Sequence, residues 1–187
     1  RAVLRQNAAE LSDMAVAETA LGRAADKKIK NQLVINKTPG PELMHAHAFS
    51  GDDGLVLIER ASWGVIGSIT PTTNPSETII NNGISFISAG NTGVFNAHPR
   101  AKKTSAHTIR LINKACVSAG GPKNILTCIG TPTLESAGQL MKHPGINLLV
   151  VTGGPAVVKA AFASGKIVVC GGAGKPPGVV DENAQIE

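Results

Sequence analysis

The chain has 187 residues, a formal net charge of +5, 42% hydrophobic residues, 21 glycines, four phenylalanines and no tyrosine. That length can bury one good core, the hydrophobic share excludes a disordered chain, and no run approaches the roughly 18 apolar residues of a membrane span. The basic residues are not interleaved with aromatics, which argues against nucleic acid as a partner and leaves an anionic cofactor as the better use of the charge.

With Trp63 as the single tryptophan, the core must be built from Val, Ile, Leu and Ala, the composition of a buried parallel sheet. The opening RAVLRQNAAE is not a signal peptide. Cys116, Cys128 and Cys170 lie far apart without a CxxC pair, which disfavours zinc and a disulfide framework and fits a reducing cytosol. The chain starts without methionine and stops at Gln185-Ile186-Glu187, directly after a strand-like run, so both ends are expected to be cut.

Residues 1 to 30 place Leu4, Ala8, Leu11, Met14, Ala15 and Ala17 at helical spacing, with Gly22 as the expected stop. A second helical segment spans Ala24 to Ile35 and is broken by Thr38-Pro39-Gly40-Pro41. His45 and His47 have a spacing that could hold a metal on a strand, but no carboxylate or cysteine stands beside them; an exposed loop and no metal site is the expectation. Gly51 to Gly54 reads as a turn and Leu55 to Arg60 as a weakly alternating strand.

From Trp63 the pattern becomes regular. Strands at Val65–Thr70, Gly93–Phe95, Ile125–Ile129, Asn147–Val151 and Ile167–Cys170 alternate with helices at Pro75–Ala89, Ala101–Ala119, Thr133–Lys142 and Pro155–Ser164. Parallel neighbours need crossovers and helices must cover both faces, so the fold class is α/β, a doubly wound parallel sheet with an N-terminal helical segment. The expected organisation is N-terminal helices and linker over 1–50 and a cofactor-binding α/β domain over 51–187.

Ligands of such sheets bind outside the carboxyl ends of the strands. Four ends stand out: Thr70 to Asn74; Asn96-Ala97-His98-Pro99; Thr152-Gly153-Gly154-Pro155; and Gly171 to Pro177 with Lys175. Gly153 and Gly154 let backbone approach a phosphate just before a proline-started helix. At the first end, Asn74-Pro75-Ser76-Glu77 reads as a capped helix start. Asn74 either caps that helix with its oxygen or also turns its NH2 outward, as an oxyanion donor would. Neither GxGxxG nor a P-loop occurs, so these ends point to a dinucleotide without identifying the chemistry.

The strings ITPTTNPSETIINN, AGNTGVFNAHPRAKK, INKACVSAGGPKNIL, VTGGPAVVKAA and GAGKPPGVVDENAQIE, in that order between Asn31 and Glu187, resemble the CoA-acylating aldehyde dehydrogenases. The nearest group is the propionaldehyde and acetaldehyde dehydrogenases of bacterial microcompartments that degrade propanediol or ethanolamine. The resemblance implies an oxidoreductase with NAD as cofactor, coenzyme A as co-substrate and a cysteine nucleophile that attacks a small aldehyde. By position, Asn74 resembles the oxyanion-stabilising asparagine, and Thr70 and Pro71 the nicotinamide side. Asn96, His98 and Pro99 resemble the adenosine-contacting turn, and Thr152, Gly153 and Gly154 the turn beside the pyrophosphate.

The nucleophile of that family would lie beyond the last motif, so none of the three cysteines is assigned to it; each reads as a core residue, and the chain as a fragment holding the cofactor portion. Where hydrolytic relatives place a glutamate, this chain has Cys170-Gly171-Gly172, which suits a thioester that must reach coenzyme A rather than water. Lys175 departs from the asparagine expected in the microcompartment group. The resemblance also implies a homo-oligomer with microcompartment shell or cargo partners, in the cytoplasm or inside such a compartment. The rivals are the aldehyde domain of a bifunctional aldehyde/alcohol dehydrogenase and a non-catalytic nucleotide-binding module.

Overall fold

The computed structural model describes residues 1–171 and 177–184. The Gly-rich turn that includes Gly172 and Lys175 lies outside them. The chain opens with three helices, α1 (Ala2–Gln6), α2 (Ala8–Thr19) and α3 (Ala24–Lys37). The single helix expected up to Gly22 is split at Asn7, whose side-chain amide donates to the Val3 carbonyl at 2.7 Å and so competes with the helical ladder. The second helix also ends earlier, with Ala20 in the left-handed region at φ 57°. One tertiary and one local contact meet at that end: the Arg100 guanidinium donates to the Thr19 carbonyl at 3.0 Å, and the Thr19 hydroxyl accepts from the Leu21 amide.

After a 3-10 turn at Pro41–Leu43 comes an antiparallel hairpin, β1 (His47–Gly51) and β2 (Gly54–Ile58). Sequence periodicity missed β1, because both strands are exposed along their whole length and neither shows an inside and an outside. The remaining elements are β3 (Val65–Thr70), α4 (Glu77–Ser88), β4 (Thr92–Ala97), α5 (Lys102–Ser118), β5 (Leu126–Cys128), α6 (Leu134–Lys142), β6 (Leu148–Thr152), α7 (Pro155–Phe162) and β7 (Ile167–Gly171). All five of these strands pair in parallel, in the order β5-β4-β3-β6-β7. The doubly wound sheet read from the sequence is present.

Alternation along the strands sorts the core into two layers. Ile66, Phe95, Leu126 and Leu148 join Ile79, Ile80 and Phe86 of α4, Ile109 and Ile112 of α5, and Leu4, Leu11 and Ile35 of the first three helices. On the opposite face Ile69, Leu149 and Val151 pack under Ala137, Leu140 and Met141 of α6 and Ala161 of α7. The N-terminal helices therefore share a buried layer with the sheet.

Gly93, in mid-β4, makes room for that layer. A Cβ there would stand 2.9 Å from the Phe86 ring and 3.1 Å from the Phe95 ring, which stack with centroids 5.8 Å apart.

Candidate functional site

In the strand order, β3 is flanked by β4 on one side and β6 on the other, so chain direction across the sheet reverses between β3 and β6. At such a switch point the loops leaving neighbouring strands part, and a crevice opens at their carboxyl ends. A cleft of about 470 Å³ lies there. Thr70, Pro71, Asn96, His98, Pro99, Thr152, Gly153 and Gly154, the eight residues that the sequence assigns to the cofactor, all line it.

Each wall has a local cause. The Thr70 carbonyl accepts from the His98 amide at 3.1 Å, which carries the β3–β4 ladder one residue past the strands. The His98 ring Nδ1 accepts from the Arg100 amide at 3.2 Å and caps the 3-10 turn Pro99–Ala101 that leads into α5. Asn96 is buried, and its side-chain oxygen accepts from the Ser136 hydroxyl at 2.7 Å. Ser136 also completes a capping box with Thr133, so one hydroxyl ties β4 to the start of α6.

Two observations fit a bound dinucleotide. Thr70 is buried, yet its hydroxyl has no hydrogen-bond partner among the described residues, and the same holds for the Thr72 hydroxyl. Leaving a buried hydroxyl unpaired costs about 1–3 kcal/mol, so a ligand partner would recover energy there. Gly154 has ordinary extended backbone, φ −68° and ψ 167°, and a Cβ at that position would meet nothing within 4 Å. Neither conformation nor protein packing demands a glycine at 154. Bare backbone ahead of the α7 N-terminus does suit close approach by a phosphate.

Sequence reasoning missed five cleft residues, Ile69 of β3, Thr133, Leu134 and Ala137 of the α6 start and Val157 of α7. Leu134 is 87% exposed, an apolar side chain standing in solvent at the cleft. The signal was available in Thr131-Pro132-Thr133, a fifth strand end with a capping threonine.

Asn74 lies beside the cleft rather than in it. It lines an adjoining cavity of about 280 Å³ with Lys30, Glu77, Thr78 and Asn81, and Thr152 borders both spaces. The expected cap is not formed. α4 begins at Glu77 rather than Pro75, with Ser76 as N-cap and no side-chain cap bond; the Asn74 backbone carbonyl, not its side chain, accepts from the Thr78 amide at 3.1 Å. The side-chain oxygen instead accepts from the Lys30 ammonium at 2.5 Å. Next to it, buried Lys27 donates to the Thr73 carbonyl at 2.8 Å and lies 3.9 Å from the buried Glu77 carboxylate.

Among the described residues, no cysteine lines either space. Cys116 and Cys128 pack against the α4–α5 layer and Cys170 against the α6–α7 layer. Burial pushes the thiols of Cys116 and Cys128 above their ordinary value. His45 and His47 are both exposed, and no group of three His, Cys, Asp or Glu side chains among the described residues could hold a metal.

The profile of the aldehyde dehydrogenase family matches residues 1–187. The acetaldehyde dehydrogenase (acetylating) EutE of Salmonella typhimurium is 52% identical over 182 residues, covering 97% of this chain and 39% of that protein. The propanal dehydrogenase (CoA-propanoylating) of the same organism is 44% identical over 178 residues, covering 95% and 38%. A solved propionaldehyde dehydrogenase from the Clostridium phytofermentans fucose utilisation microcompartment superposes with a TM-score of 0.88 at 50% identity, over 94% of this chain and 41% of that one. The chain thus spans about two fifths of the length of the curated relatives it matches.

Proposed function

The chain belongs to the aldehyde dehydrogenase family, and from that premise we propose that it is the cofactor-binding portion of an enzyme that oxidises acetaldehyde or propionaldehyde to the acyl-CoA with NAD. The observation that carries the reading is the convergence of three strand ends, with an unpaired Thr70 hydroxyl and a bare Gly154 backbone, on one cleft. NAD, when bound, supplies the hydride acceptor. Thr70 and Pro71 line its nicotinamide side; Asn96, His98 and Pro99 line the adenosine side, where Leu134 adds apolar contact; Thr152, Gly153 and Gly154 face the pyrophosphate.

Asn74, whose oxygen is engaged by Lys30, keeps its NH2 for the reaction. Its amide NH2 donates to the aldehyde oxygen as negative charge develops there, a contribution of about 3 kcal/mol in comparable sites. The nucleophilic cysteine belongs to the remainder of the enzyme. From Ile167 to Gly178 the chain has no carboxylate, so this stretch offers no base to activate water, and the acyl group is left for coenzyme A.

The partners we propose are the small aldehyde, coenzyme A and further copies of the enzyme, within a microcompartment whose shell or cargo proteins it meets. The hairpin β1–β2 supports self-association: Phe49, Leu55, Val56, Leu57 and Ile58 are all exposed, and an isolated two-stranded hairpin is marginal in water.

The test is product analysis with the complete enzyme. NADH formation from acetaldehyde or propionaldehyde should require coenzyme A and yield the thioester. Coenzyme A-independent turnover to the free acid rejects the acylating reading, and an iron-binding second domain in the parent chain would make it one half of a bifunctional enzyme.

A further inference from the structure

The run Lys27 to Lys30 has no part in the dinucleotide cleft, yet α3 aims two of its cations, one helical turn apart, at consecutive residues of the β3–α4 loop. Lys27 is only 4% exposed; its ammonium donates to the Thr73 carbonyl, and its charge faces the Glu77 carboxylate, itself 4% exposed and without a hydrogen bond at Oε1. That buried pair pins the loop backbone immediately before Asn74. Lys30 reaches the next residue and donates to Asn74 Oδ1 at 2.5 Å.

The chemistry of this contact determines which way the amide faces. An ammonium has three donors and no acceptor, so the atom it touches must be the carboxamide oxygen, and the NH2 is turned to the other side. Among the described residues that NH2 has a single partner, the Thr73 hydroxyl at 3.5 Å, the outer edge of hydrogen-bond distance. A donor group so placed is oriented and yet uncommitted, which is the condition electrostatic stabilisation of a developing oxyanion requires.

We propose that Lys30 is a positioning residue for the reaction: it holds Asn74 in the orientation that presents its NH2 to the aldehyde oxygen. This rests on the reading of Asn74 as the oxyanion donor. Lys30 does not line the cleft and acts through that amide. Because it is exposed, its removal leaves the core intact.

The experiment is a double-mutant cycle in the complete enzyme, with kcat and the KM for NAD measured for wild type, Lys30→Met, Asn74→Ala and the combination. Lys30→Met should lower kcat about tenfold, as loss of orientation at a reacting centre does, with the KM for NAD and Tm unchanged. Asn74→Ala should lower kcat about a hundredfold, and Lys30→Met should add nothing once Asn74 is alanine. A full-speed Lys30→Met beside a damaged Asn74→Ala, or losses that multiply in the combination, overturns the positioning role and leaves the oxyanion reading standing. Asn74→Ala at wild-type kcat removes the oxyanion reading, and the positioning role with it.

Discussion

Thr70 and Gly154 are two cleft residues whose surroundings the described protein groups do not explain. Thr70→Val keeps the shape of a buried side chain and removes an unpaired hydroxyl, so Tm should hold or rise. If the hydroxyl meets the dinucleotide, NAD affinity should fall about fivefold, the value of one hydrogen bond; calorimetric titration showing equal affinity would count against that contact. Gly154→Ala introduces a methyl that touches nothing in the protein, so it should leave Tm in place and weaken NAD binding. Unchanged binding would mean the glycine is incidental. Cys116 and Cys128 have thiols raised by burial, so the folded state holds their protons more tightly than the unfolded chain does. Their contribution to stability is complete below the ordinary thiol value of 9.0 and is lost as pH climbs through the raised values. Alkylation at neutral pH should therefore be slow at both positions, measured by mass spectrometry.

At the scale of elements, the helix starts show how side chains compete for backbone. Glu18 of α2 accepts from the Lys103 and Thr104 amides at 2.8 Å, while Arg100 takes the last carbonyl of α2; the end of one helix and the beginning of another cap each other. No local signal in residues 18–22 points to that exchange, so the sequence alone predicts the stop at Gly22. The α4 start failed as a cap for the same kind of reason: Lys30, 44 residues upstream, claims the Asn74 oxygen. Where the signal is local it held, as at Thr133, whose capping box opens α6. The α4–β4 contact is a closely packed apolar seam. Gly93→Ala would drive a methyl against two buried aromatic rings, which should cost about 1–3 kcal/mol and lower Tm by several degrees. A Tm at or above wild type would show that the rings relax.

For the molecule as a whole, the two layers of core hold the strand ends in register, so the cleft is a property of the sheet rather than of any one loop. We propose residues 51–187 as the cofactor-binding unit; the boundary falls inside β1, and the helices of 1–50 share a buried layer with the sheet. Expressed alone, the 187-residue chain should bind NAD, seen as a rise in Tm with cofactor concentration, and should not oxidise aldehydes. Measured turnover by this chain would instead bring Cys170 forward as nucleophile.

The α/β alternation, the parallel sheet and the eight cleft residues were legible in the amino-acid order, because β-branched runs, Pro-started helices and Gly-Gly turns act over a few residues. What only the tertiary structure decided is which strands are neighbours, the β1–β2 hairpin, the place of Leu134 at the cleft and the orientation of Asn74. The hairpin is local but shows no inside and outside for periodicity to report; the others depend on groups far apart in the chain, as in Ser136 meeting Asn96 and Lys30 meeting Asn74. A side chain with two ways to satisfy its hydrogen bonds takes the one that long-range packing brings within reach, and periodicity carries no record of that choice.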